Sequence, residues 1–291
     1  WSSDVCSSDL CLFYAPAYAD ETTWRNFMAA GTDAAKRDDP TAAAANFENA
    51  LKAANAFPTN DVRTAAALYG LGRARRALHD TKAAEQHFLR ALGMLENVPS
   101  TPSTTLSDLY NALGDVYRVA GRFAPAEDYF KRELALLEKQ YGAAHPAVAQ
   151  ALSNNLASLY RVQGRKAEAE AAYLRAAALL EKSVPAGDTR LGIALIDVAE
   201  WYQGQQQFAQ AEPYYRRGIP ILQKTFPPAH PRILGLLHDW GQVRQLQGQY
   251  AEAETVYRMM LKIVETHQGE GHPNAAIALN DLAGVLEAQG R

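Results

Sequence analysis

The chain of 291 residues carries 29 Lys and Arg against 32 Asp and Glu, a formal charge of −3, with 48% apolar and 21% charged residues. That is ordinary globular composition, and no stretch approaches the roughly 18 apolar residues of a membrane span. The small negative charge gives no net attraction for nucleic acid or an anionic bilayer.

Residues 1–10, WSSDVCSSDL, have neither a helical nor a strand period. Read back into codons, they match a sequencing-library adapter, so they are set aside from the fold as an artefact. Residues 11–19 follow with a short apolar stretch ending in Ala17-Tyr18-Ala19, and acidic residues come next. This reads as the back half of a truncated secretory signal cleaved after Ala19, and it predicts an exported chain, periplasmic or extracellular in a bacterium. Cys6 and Cys11 are the two cysteines. The mature chain then has none, which excludes disulfides, thiolate metal sites and a cysteine nucleophile together.

From residue 20 the sequence repeats itself. Small residues that suit a close helix crossing fall at Gly31, Gly72, Gly114, Ala157, Ala199, Gly241 and Ala283, with gaps of 41, 42, 43, 42, 42 and 42 residues. An aromatic follows sixteen residues later, at Phe47, Phe88, Phe130, Tyr173, Tyr215 and Tyr257. Such a period marks a solenoid, in which one unit cannot bury its apolar face alone. Residues 144–184 show the unit most clearly. Val148, Leu152, Leu156, Leu159 and Tyr160 recur at helical spacing, and Ala169, Tyr173, Ala176 and Leu180 do so again. Two antiparallel helices are predicted, the first opened by His145-Pro146 and closed by Gly164, with Gly121, Gly248 and Gly290 in register.

The repeat departs from itself at particular places. Gly187-Asp188-Thr189-Arg190 stands where other units have His-Pro, Glu133 and Met260 replace a small packing alanine, and Arg244 replaces a core tyrosine. Residues 99–105 are rich in turn formers and predict a local bend. Residues 271–291 supply one helix and a turn glycine of a seventh unit. The expectation is a single elongated domain over 20–291, a fragment truncated at its C-terminus.

Leu113-Gly114-x-x-Tyr117 with Ala126-x-x-x-Phe130, and Leu156-Ala157-x-x-Tyr160 with Ala169-x-x-x-Tyr173, resemble the tetratricopeptide repeat. The 42-residue length and the segments HPAVA at 145–149, LSNNLASLY at 152–160 and QGRKAEAE at 163–170 resemble its kinesin-light-chain-like branch. The resemblance covers residues 22–291. It implies an all-α fold, a right-handed α-solenoid of antiparallel helix pairs with about six full repeats and one half. It also implies a scaffold that binds proteins or peptides, with the ligand differing from member to member.

Chemistry is sparse. No HExxH, GxSxG or GxxxxGK[ST] occurs, and His267 and His272 lack the further ligands of a zinc pattern. His145, His230 and His272 keep the repeat register and read as helix-entry residues. Trp201 and Trp240 read as core or groove-edge residues. No catalytic residue, metal site or cofactor is assigned, and the chain is read as not an enzyme.

A polar stripe along each first helix is the best functional signal, since residues three and four apart share a face. It carries Tyr69, Arg73 and Arg76; Asn111, Asp115 and Arg118; Asn154, Ser158 and Arg161; Glu200 and Gln203; His238, Gln242 and Gln245; and Asn280. In the family this face lines a concave groove, so the resemblance implies that Asn111, Asn154 and Asn280 hold a ligand's backbone. An amide offers both donor and acceptor. Arg76, Arg118 and Arg161, 42 and 43 residues apart, read either as a basic ladder for an acidic segment or a terminal carboxylate, or as solvated arginines that serve as helix formers. The leading expectation is a scaffold for an extended, acidic peptide or partner protein. The alternatives are the docking arm of a larger enzyme, such as a caspase-like protease fusion, and a self-assembly module. Neither the partner nor the oligomeric state can be read from the sequence.

Overall fold

The computed structural model describes residues 8–96, 98 and 101–291, and side chains among them from residue 21. Residues 1–7 of the adapter-like segment lie outside the described residues, as do Pro99 and Ser100 of the turn-rich junction. All regular structure among the described residues is helical. The first helix, α1 (Ser8–Lys36), runs without interruption through the segment read as a signal tail. It is followed by α2 (Pro40–Ala53), α3 (Val62–Ala77), α4 (Thr81–Leu95), α5 (Ser103–Val119) and α6 (Phe123–Tyr141). Next comes α7 at residues 146–162, whose middle, Ala151–Ala157, is a π-helical segment. The remainder are α8 (Lys166–Ser183), α9 (Thr189–Gly204), α10 (Phe208–Leu222), α11 (Pro231–Leu246), α12 (Tyr250–Gln268) and α13 (Pro273–Ala288). The chain forms two compact units, the first reaching to Gln140 and the second running from Tyr141 to Arg291.

Within each unit every helix packs on its neighbours in sequence, as a solenoid requires: α1 to α2 to α3 to α4 to α5 in the first, and α7 through α13 in the second. The predicted crossings are the reason. A methyl group built on Gly31 would stand 2.9 Å from the Phe47 ring, and one on Gly72 would stand 2.6 Å from Phe88 Cε1. Gly114 and Gly241 meet Phe130 and Tyr257 more closely still. Where the small residue is alanine, Ala157 and Ala199 are fully buried. Only a small residue lets two backbones approach far enough for the aromatic to fill the space between them.

The turn between paired helices is equally regular. Gly121, Gly164, Gly248 and Gly290 all have left-handed φ, and Asp38, His79 and Gln206 occupy the same register with φ near 60°. Helix entry follows a second rule. The Nδ1 atoms of His145, His230 and His272 accept from the backbone N–H two residues on, at 3.2, 3.2 and 3.1 Å. At the fifth repeat Asp188 Oδ1 accepts from Arg190 N at 2.9 Å, so the departure from His-Pro keeps the cap and changes only the acceptor.

One irregularity lies in the fourth repeat. From cap to crossing residue there are eleven positions in Asp188–Ala199, His230–Gly241 and His272–Ala283, but twelve in His145–Ala157. The extra residue in α7 is absorbed by the π segment Ala151–Ala157. A π turn takes up one residue without breaking the helix, and such bulges recur at functional sites.

Candidate interaction site

In the first unit the predicted stripe is largely self-satisfied. Arg76 and Arg118 both pair with the carboxylate of Asp115. Two of the three expected ladder arginines are therefore held by one carboxylate of the same stripe, which offsets one of their two charges, and the open basic ladder is corrected to an Arg–Asp–Arg cluster. Asn111 donates through Nδ2 to the buried Glu133 at 3.3 and 3.4 Å, so its donor is committed to the packing position that departs from alanine. Tyr69 packs its ring on Phe88 with centroids 5.7 Å apart, and burial pushes its hydroxyl pKa up. Arg73 has no ion pair among the described residues. It borders a cavity of about 270 Å³ lined also by Thr32, Tyr69, Thr105 and Asp108 from α1, α3 and α5.

In the second unit the glutamines serve the core. Tyr215 donates to Gln203 Oε1, and Tyr257 donates to Gln245 Oε1 at 3.4 Å. These positions continue the register of Arg76, Arg118 and Arg161. In these two repeats the glutamine gives the buried tyrosine hydroxyl an acceptor, which a guanidinium could not supply. Gln203 also donates to Gln242 at 3.3 Å. His238 lies 3.3 Å from Asp239 and 3.5 Å from Asp281. Asn280 is exposed and has no side-chain partner among the described residues. Arg244 pairs with Glu212 at 2.8 Å and lies over the Trp240 ring at 4.7 Å, which is how a cation occupies a tyrosine position.

The structure brings four predicted residues together at one place. Asn154, Ser158 and Arg161 of α7 face Glu200 of α9 across a cavity of about 210 Å³. Sequence reasoning missed its other walls, Ser153, Tyr173 and Asp197, and left Trp201 undecided. Ser153 lies in the π segment and donates its hydroxyl to Asp197. Trp201 is 4% exposed, tilts on Tyr173 with ring centroids 5.9 Å apart, and has an indole N–H with no acceptor. Asn154, Ser158 and Arg161 have no side-chain partner among the described residues, and Asn154 and Arg161 are exposed. Burial pushes Asp197 up from the usual carboxylate range, against the opposing effects of Ser153, Arg232 and Arg161. Glu200 keeps an exposed surface, yet the surrounding protein and then Asp197 and Asp239 push it up as well. Two signals could have revealed the missed residues: the twelve-residue interval in α7, and the recurrence of Asp197, Asp239 and Asp281 every 42 residues.

The tetratricopeptide repeat model matches residues 23–97, 105–182, 149–224 and 232–291. The chain belongs to the tetratricopeptide repeat family. Its fold is similar to BtubC (BKLC) of P. vanneervenii, 18% identical with a TM-score of 0.62, covering 88% of this chain and 94% of that one. It is also similar to a kinesin light chain repeat protein of Podosopora anserina, 22% identical with a TM-score of 0.56, covering 64% and 88%. A STAND protein with a tetratricopeptide repeat sensor from Pyrococcus horikoshii gives 16% identity and a TM-score of 0.67, covering 91% and 41%. No curated protein matches the chain. Tetratricopeptide repeat domains bind proteins or peptides and are in general non-catalytic, which supports a protein-interaction scaffold. Among the described residues, no helix is long and apolar enough to cross a membrane, and no group of three or more His, Cys, Asp or Glu is placed to hold a metal.

Proposed function

We propose that this tetratricopeptide repeat chain is a scaffold that holds an extended peptide of a partner protein against the first helices of its repeats. One observation carries the reading. The first helices of successive repeats, α7 and α9, enclose a cavity beside which Asn154, Ser158 and Arg161 stand together without side-chain partners, whereas Arg76, Asn111, Asp115 and Arg118 of the same stripe are engaged with one another or with Glu133. Asn154 offers a donor and an acceptor, and Arg161 offers donors only. Together they suit a peptide bond whatever its side chain. The scaffold is folded before its ligand arrives, so the flexible ligand bears the ordering entropy and affinity grows with the repeats engaged.

A displayed library of short random peptides tests this against the immobilised protein. Retained peptides are expected to bind Asn154→Ala and Arg161→Ala about tenfold more weakly, the cost of one or two hydrogen bonds, with helicity and melting unchanged. Equal capture by both variants refutes the groove reading.

A further inference from the structure

Resting on that reading, the geometry points to a seat for a cationic side chain of the ligand, an arginine, in the cavity between α7 and α9, opposite in charge to the acidic ligand that the arginine register implies. The walls supply the chemistry. Asp197 and Glu200 bring carboxylates from one helix, three residues apart and so on one face. The rings of Tyr173 and Trp201 stand beside them. A guanidinium is planar, pairs with carboxylates through a fork of donors and tolerates aromatic neighbours, so it suits this pair of carboxylates and the rings at their edge.

The charge balance favours a cation. The charged groups that act on the two carboxylates are Arg161 of α7, Arg232 of α11 and Asp239 of α11. Three carboxylates thus stand against two guanidinium groups; burial raises the pKa of both Asp197 and Glu200, and repulsion from Asp197 and Asp239 adds to the rise at Glu200. An incoming guanidinium relieves that repulsion. Neither Arg161 nor Arg232 forms an ion pair with these carboxylates.

Two independent features mark the place as built. The indole N–H of Trp201, in a side chain 4% exposed on the cavity wall, lacks an acceptor. Trp24 and Trp240 also have an unpartnered indole N–H, and Trp201 is the one of the three that borders these carboxylates; a buried donor without a partner calls for a ligand group or water. The π segment in α7 is the second feature. It is the local irregularity that carries Ser153, whose hydroxyl holds Asp197, and Asn154 beside it.

The test uses the full chain with nitrogen-15 label and three end-blocked tripeptides as probes: Ser-Arg-Ser, its citrulline counterpart, which keeps shape and loses charge, and Ser-Glu-Ser. The chain has 4 tryptophans, and Trp201→Phe assigns the indole resonance. The arginine probe should shift the Trp201 indole N–H, and the citrulline probe should bind at least tenfold more weakly, since hydrogen bonds to charged groups are worth about tenfold or more each. Asp197→Asn and Glu200→Gln should each reduce arginine binding by a similar factor without lowering the melting temperature. Equal binding of citrulline, unaltered binding by both variants, or preference for the glutamate probe overturns the seat. If the random-peptide library still depends on Asn154 while the arginine probe ignores both carboxylates, the seat fails and the groove stands. If library capture is independent of Asn154 as well, the groove reading itself fails.

Discussion

Two alanine substitutions in one repeat should move stability in opposite directions. Gly72 lies in the middle of α3, where an added methyl group meets Phe88 Cε1, Cδ1 and Cζ at 2.6, 2.8 and 2.9 Å. Phe88 is fully buried, so its ring has no space to retreat into. Gly93 lies in α4 of the same helix pair, and nothing stands within 4 Å of a methyl group placed there. Replacing glycine with alanine in a helix gains about 1 kcal/mol from backbone entropy at either site. At Gly93 that is the whole effect. At Gly72 overpacking opposes it by about 3 kcal/mol, the upper end of the usual range, because three ring atoms are struck at once. Gly72→Ala should therefore lose about 2 kcal/mol and Gly93→Ala should gain up to about 1 kcal/mol, a separation of about 3 kcal/mol. Urea unfolding followed by circular dichroism, compared at constant m-value, measures both. Adding Phe88→Leu to Gly72→Ala should recover part of the loss, since the smaller side chain vacates the contested space. A Gly72→Ala variant as stable as the parent would refute the account of small residues as spacers for the aromatic.

Asp115→Asn should release Arg76 and Arg118, leave stability within about 1 kcal/mol because these pairs are partly exposed, and raise salt-sensitive binding of a glutamate-rich peptide; unchanged binding counts against the Arg–Asp–Arg cluster. Arg244→Met should destabilise by about 3 kcal/mol, since Glu212 is then largely buried without its cation. Changing both residues to methionine should restore most of that loss in a double-mutant cycle. The folded-state pKa of Asp197 is raised above the ordinary aspartate value of 3.8 by burial, so the folded chain binds that proton more tightly than the unfolded chain does. The associated stability is present below pH 3.8 and is lost as pH rises through the folded value. Asp197→Asn, which can still accept from Ser153, should be at least as stable as the parent at pH 7, with the difference shrinking toward pH 4; a larger deficit at pH 7 than at pH 4 would reverse this sign.

The repeat was readable because its rules are local or nearly so. A small residue and an aromatic sixteen positions later define a crossing within one helix pair, and the left-handed turn needs only its own register. His145, His230 and His272 were identified as helix-entry residues for the same reason, since their acceptor is two residues away. The candidate site was legible only in part. Asn154, Ser158, Arg161 and Glu200 could be placed on helix faces, and they do border one cavity. Their chemical state could not be read. Whether an arginine is free depends on a carboxylate roughly one repeat away in sequence and brought into contact by stacking, as Asp115 is for Arg76, and a face assignment contains no such information.

The sequence by itself determined the helix pairs, their order, their turns and their caps, because each is set by steric and hydrogen-bonding demands within some forty residues. The tertiary structure decided which polar groups are already satisfied. It commits Asn111 to Glu133 and the glutamines to tyrosine hydroxyls, and it gathers Asp197, Glu200 and an unpartnered Trp201 around Arg161. Charge and hydrogen-bond balance belong to neighbours brought together by stacking, and the π segment of α7 carries two of those that border the cavity, Ser153 and Asn154.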